Sequence, residues 1–172
     1  MPGQVKAILP KDFNDKAVTD ILQAEMKKFA PFLVKTFEHT TDSWQGEKPK
    51  FTPVFRKDGG ALRIQVRLAG PKKGREKWLY VNYGTRPHKI KAKPGNTLRF
   101  QTGYQAGSTP GQLRTARSSK SGSWRSAKEV NHPGTEARNW KELIIKDYQV
   151  AFERWMGAAM SHAARASGHA VK

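Results

Sequence analysis

The chain has 172 residues, 37% of them hydrophobic, no cysteine and a formal charge of +18. That length supports one domain with a real core, and the lack of cysteine excludes disulfides, thiolate metal sites and cysteine nucleophiles together, as suits assembly in a reducing cytoplasm. The longest apolar stretch, Phe29 to Val34, is broken by Pro31 and falls far short of the roughly 18 to 20 residues a bilayer crossing needs; the opening Met1 to Lys6 carries no secretory pattern, so no membrane partner is expected.

The charge is concentrated. Met1 to Glu47 holds six Lys or Arg against seven acids, Lys48 to Lys128 holds twenty against two, and Glu129 to Lys172 holds six against five. A middle segment so one-sided repels itself unless salt, an acidic partner or nucleic-acid phosphates screen it. A polyanion close by is the natural inference.

In chain order, Val18, Ile21, Leu22, Met26, Phe29, Leu33 and Phe37 recur at three-and-four spacing and predict an amphipathic helix over 12–40. Asp12 is its expected N-cap, and Pro31 is expected to kink or divide it. Over 48–101 the pattern changes to strands. Leu62, Ile64, Val66 and Leu68 alternate with Arg63, Gln65 and Arg67, and Asp58-Gly59-Gly60 predicts a tight hairpin from Phe51–Lys57 into that strand. Gly70 to Arg75 reads as a basic turn, Trp78 to Tyr83 as a third strand and Thr97 to Gln101 as a fourth.

Between Thr102 and Lys128 the pattern stops. The stretch is rich in Gly, Ser and Thr and reads as a long flexible basic loop, with Trp124 as an anchor at its base. Helical spacing returns through Trp140, Ile144, Tyr148, Ala151, Phe152, Trp155 and Ala159, predicting a helix over 135–166 capped by Thr135 or Asn139. The fold expected is a single α+β domain over 1–172: a mainly antiparallel sheet of about four strands packed against a long N-terminal and a long C-terminal helix, with the basic loop between.

Catalytic chemistry finds little footing. None of the five histidines, His39, His88, His132, His162 and His169, forms the i, i+4 ligand pair of a zinc hydrolase. His88 and His132 could meet in space and recruit Asp58 or Glu129, but a structural role beside Pro87 and Pro133 accounts for them more simply. No Walker-type glycine loop occurs. Neither a catalytic residue, a metal nor a cofactor is expected, and the protein is read as a non-enzyme. Charge favours nucleic-acid contact, yet no zinc-finger set, RNA-recognition aromatic signature or basic recognition helix is present, so the contact expected is sequence-independent.

The run Tyr80-Val81-Asn82-Tyr83-Gly84-Thr85-Arg86-Pro87-His88-Lys89-Ile90-Lys91-Ala92-Lys93, followed by Leu98-Arg99-Phe100, resembles a stretch typical of minor tail or neck proteins of long-tailed bacteriophages. A second landmark, Val130-Asn131-His132-Pro133-Gly134-Thr135, resembles the element that precedes the C-terminal helix in that family; where the family commonly continues with a small residue, Pro and Phe, Ala137-Arg138-Asn139-Trp140 stands here. The resemblance covers Trp78 to about Leu143. It implies a structural virion protein of the neck, a tail-completion or head–tail joining subunit assembled in the host cytoplasm. Its partners would be its own copies in a ring, a hexamer, then the connector or stopper, the tail terminator or tube proteins, and, without sequence specificity, genomic DNA. Tyr83, Gly84, Thr85, Pro87, His88, His132, Pro133, Gly134 and Thr135 are then architectural positions. Arg114, Arg117, Lys120, Arg125 and Lys128 are candidates to face DNA or an adjacent ring. The tail terminator of the same region is the near alternative, and a free sequence-independent nucleic-acid-binding protein is the alternative from another class.

Overall fold

Apolar residues at helical spacing near both ends, and alternating residues between them, each leave one face that must be buried. In the computed structural model, which describes residues 4–8, 16–58, 61–113, 116 and 118–166 (backbone only for 4–8, 17 and 120), these faces build an α+β fold of three helices and small antiparallel sheets. The chain divides into two compact units: one of residues 1–38, 50–69 and 141–172, the other of 39–49 and 70–140.

The first unit holds the expected helices. Helix α1, Lys16–His39, buries Val18, Leu22, Met26, Phe29, Leu33 and Phe37 along one stripe. Pro31 neither divides nor ends it; the residue lies on the solvent face, where water can satisfy the carbonyl that its missing N–H leaves free. The expected cap Asp12 falls outside the described residues. Helix α3, Trp140–Ala166, begins later than the expected residue 135. It meets α1 through Phe29, whose ring lies edge-on to Tyr148 and Phe152 at 6.0 and 5.1 Å. Tyr148 also shares a hydrogen bond with Thr36. Ala151 and Trp155, expected on the buried face, are exposed, and Met156 is buried instead. The buried residues 152, 156, 159 and 163 recur at helical spacing, and 151 and 155 lie at the edge of their stripe, where they stay exposed.

Under these helices lies a three-stranded antiparallel sheet in the order β1-β3-β2, with β1 Gln4–Ile8, β2 Lys50–Asp58 and β3 Ala61–Ala69. Asp58 pairs with Ala61, the register of the expected two-residue hairpin, although Gly59 and Gly60 themselves lie outside the described residues. Leu62, Ile64 and Val66 point inward with Phe51 of β2, whose ring stands 5.3 Å from that of Phe37. The outer face pairs Arg56 with Arg63 and Thr52 with Arg67; Asp58 lies 3.3 Å from Arg63 and relieves part of that repulsion. The edge strand β2 carries Pro53, which lacks the N–H that another chain's strand would need.

The four-strand meander is corrected at its third member. Trp78 to Tyr83 is the second half of helix α2, Lys72–Tyr83, and not a strand. Gly74, Trp78 and Asn82 are its buried residues, spaced by four, whereas Tyr80, which would share a strand face with Trp78, is 57% exposed. Aromatic and β-branched content suggested a strand, but the Lys72 and Glu76 charges at i, i+4 and a buried niche for Trp78 favour the helix. Strand β1 stands where no strand was expected.

The segment expected as a loop, 102–128, is corrected in part, because three short strands within it pair regularly. Strands β4 His88–Lys91, β5 Leu98–Gln101 and β6 Tyr104–Gln105 run out, and β7 Ser119–Lys120, β8 Trp124–Ala127 and β9 Glu129–His132 run back. They pair β4 with β9, β5 with β8 and β6 with β7, three two-stranded sheets that follow one another as an interrupted ribbon. Thr97–Gln101 was expected to join the main sheet, and its strand pairs within this ribbon. Among the described residues no helix is long and apolar enough to cross a membrane.

Ile64 is fully buried, so Ile64→Asp should place an unpaired carboxylate in the first unit and lower its melting temperature by more than about 10 °C. Arg67→Gln, on the exposed face of the same strand, should change stability by less than about 0.5 kcal/mol. Scanning calorimetry of the three proteins reads both outcomes.

Candidate functional site

The second unit starts from two buried tryptophans. Trp78 of α2 and Trp140 stand with ring centroids 6.4 Å apart. Each indole N–H has an acceptor, as buried indoles require: Trp78 donates to the Thr40 hydroxyl at 2.9 Å and Trp140 to the Gln112 carbonyl at 3.0 Å. Thr40 is itself buried, at the start of the turn that follows α1.

Around this centre the structure brings together the two motifs that lie fifty residues apart in sequence. Thr85 and Thr135 exchange backbone hydrogen bonds of 2.8 and 3.1 Å, and the Thr85 hydroxyl accepts a further one from the Thr135 N–H. Next to them Gly84 has φ +74 and Gly134 φ +90, conformations that side chains rarely adopt. A Cβ on Gly84 would stand 2.6 Å from the Thr135 carbonyl oxygen, and one on Gly134 would collide with that of Thr85. The two glycines allow the strands to approach. Beyond this clasp the N–H groups of Arg138 and Asn139 donate to the carbonyls of Val81 and Asn82, satisfying acceptors that the end of α2 would otherwise leave open.

On the other side of the clasp the ribbon begins with His88 directly opposite His132, their rings 5.0 Å apart. His88 Nδ1 lies 2.9 Å from the Arg86 carbonyl, and His132 Nδ1 accepts the Gly134 N–H at 3.0 Å. Both rings therefore hold the turns at Pro87 and Pro133. Glu129 sits 2.9 Å from Lys89 and 3.6 Å from Lys91, so its carboxylate is taken up by lysines. Among the described residues no group of three His, Asp or Glu side chains could hold a metal ion.

The basic candidates divide. Arg125 and Lys128 are exposed on and beside β8, while Arg114, Arg117 and the Lys120 side chain lie outside the described residues. Trp124 is no buried anchor: it is 58% exposed, with the Arg99 guanidinium 5.0 Å from its ring centre. Exposed with them along the ribbon are Arg86, Lys89, Lys91, Lys93 and Arg99, and over 85–135 the sequence has ten Lys or Arg against Glu129 alone.

The ribbon bends back on itself. Residues 92 to 97 of the outgoing strand face Lys128 alone, and a second mismatch follows at Thr102 and Gly103 against 121–123; extra residues on one strand bend such a pair. Its far end thereby returns to its base, where the Ser108 hydroxyl meets Arg138 Nε at 3.1 Å and Gln112 meets Trp140. A cavity of about 570 Å³ lies between this returned end, α2 and the loop at Ser43–Gln45, with Lys77, Tyr104 and Arg138 in its wall. Lys77 extends over the Trp44 ring, 4.2 Å from its centre, and desolvation there lowers its pKa. The sequence reading missed Trp44, Lys77 and Arg138. The one signal available was Ala137-Arg138-Asn139-Trp140, which departs from the resembled pattern at the place where the cavity is built.

Compared with known proteins, the chain matches no family model, no curated protein and no solved structure.

Gly84→Ala should destabilise the second unit by more than about 3 kcal/mol, since it combines strained φ with a backbone collision. Gly95→Ala, also at positive φ but with nothing within 4 Å, should cost about 1 kcal/mol. Hydrogen exchange at the Thr85 and Thr135 amides would register the difference as reduced protection in Gly84→Ala only.

Proposed function

We propose that the chain is a structural subunit of the tailed-phage neck, a tail-completion or head–tail joining protein that forms a homo-oligomeric ring around the DNA channel. The observation that carries the reading is the clasp. The two stretches that resemble the neck family, Tyr83 to His88 and His132 to Thr135, meet residue for residue at Thr85 and Thr135, in the way architectural motifs would.

Charge supports the same reading. A ribbon whose cations outnumber its acids ten to one is costly to crowd against copies of itself, unless a polyanion shares the space. Subunits that turn such ribbons toward a common axis surround the channel with positive potential, and heterologous interfaces that close on themselves produce rings. The basic 102–128 segment serves in this proposal as the part that faces DNA or the adjacent ring. DNA would be held through phosphates, without reading of bases. The charge by itself would equally suit a free nucleic-acid-binding protein, and a tail terminator would occupy the neighbouring layer.

Electron microscopy of the purified protein should show rings of one diameter, and the protein should copurify with tails or filled heads. A monomer that binds duplex DNA with steep salt dependence would instead identify the free binder. Changing Arg114, Arg117, Lys120, Arg125 and Lys128 to Gln should leave the melting temperature within about 3 °C, reduce the slope of log K against log salt by roughly 0.9 for each DNA phosphate that is no longer neutralised, and weaken DNA retention or joining. Fully infectious particles that keep their DNA through osmotic shock would refute a role for this segment.

A further inference from the structure

The cavity of the second unit has a wall that suits an anion. Its charged residues are Lys77 and Arg138, and none of the described residues lining it is an acid. Arg138 is only 6% exposed and forms no ion pair with a described carboxylate. Its Nε donates to the Ser108 hydroxyl and its Nη1 to the Glu136 carbonyl at 2.7 Å, both neutral acceptors. Buried guanidinium groups are ordinarily matched by an anion, because neutral acceptors restore only part of the hydration given up on burial. Here the unmatched cation borders open space.

Lys77 adds the second positive group. Its ammonium is held over Trp44 by a ring face, which attracts a cation without neutralising it. Ser108 and Thr135 also line the space; the Ser108 hydroxyl accepts from Arg138, so its own proton remains to be donated. At about 570 Å³ the space is far larger than one water requires and falls within the range of small-molecule sites, roughly 300 to 1,000 Å³. A bare oxyanion would leave much of it unfilled, and Trp44, Val81 and Tyr104 offer apolar surface for an organic portion.

We propose that this cavity is a binding site for a small phosphate ester, its phosphate held by Arg138 and Lys77 and its organic part set against Trp44, Val81 and Tyr104. Guanidinium suits the phosphate because its planar fork can donate to two oxygens at once. The site stands independently of the neck assignment, since nothing in it requires a ring or DNA.

Titration calorimetry of the full chain at constant ionic strength tests the proposal with inorganic phosphate, glycerol phosphate and adenosine monophosphate. One saturable site for phosphate is expected, with adenosine monophosphate at least about tenfold tighter and glycerol phosphate between them. Lys77→Gln should weaken phosphate binding by about tenfold or more while leaving the melting temperature in chloride unchanged. Arg138→Lys, which keeps the charge but removes the fork, should weaken it similarly. Arg67→Gln, on the outer sheet face of the first unit, should bind as the parent does. Absence of saturable binding, an unaltered affinity in Lys77→Gln, or equal weakening in Arg67→Gln would overturn the site. Esters no tighter than phosphate would overturn the ester half and leave a free-phosphate site.

Discussion

The closure of Thr85 against Thr135 is the contact on which the second unit depends. It ties the end of α2 to the approach of α3, starts the ribbon in register and brings Arg138 and Asn139 to the open carbonyls of α2. Such close backbone approach is available only to residues without a Cβ, which is why Gly84 and Gly134 flank it. Asn139 completes the turn at φ 54, a left-handed conformation that Asn tolerates better than most residues.

From this closure the tryptophan pair and the ribbon follow. With Trp140 set beside Trp78, its indole N–H needs an acceptor, and the returned end of the ribbon supplies the Gln112 carbonyl. The bend that allows this return comes from the unequal strand lengths at 92–97 and 121–123. A basic sequence can accept such a fold because its described ribbon cations stay exposed, where water screens them, and Glu129 is shared between two lysines. Arg138 is the exception, a cation drawn inside by the backbone that carries it.

Much of the first unit was legible. The α1 stripe from Val18 to Phe37 and the β3 alternation at Leu62, Ile64 and Val66 each bury one continuous face, so period alone revealed the element and its inward side. The second unit is less legible. Trp78 to Tyr83 has strand-like composition yet is helical, because the burial of Trp78 outweighs a local preference worth about 1 kcal/mol at most. Residues 102–128 lack core-type side chains and so resembled a loop. A two-stranded ribbon gains its backbone hydrogen bonds from a distant partner strand and needs little apolar patterning to form.

What the sequence by itself determined was the class of fold, the two terminal helices, the central hairpin, the location of the charge and the two glycine-bearing motifs. These depend on period, composition and backbone permissions, all of which are properties of neighbouring residues. The tertiary structure alone decided that the motifs clasp each other, that the ribbon turns back, and that Lys77 and Arg138 share a cavity with no acid among its described lining residues. Those outcomes rest on contacts between residues 28 or more positions apart, and no local pattern records which distant backbone group will satisfy a given N–H.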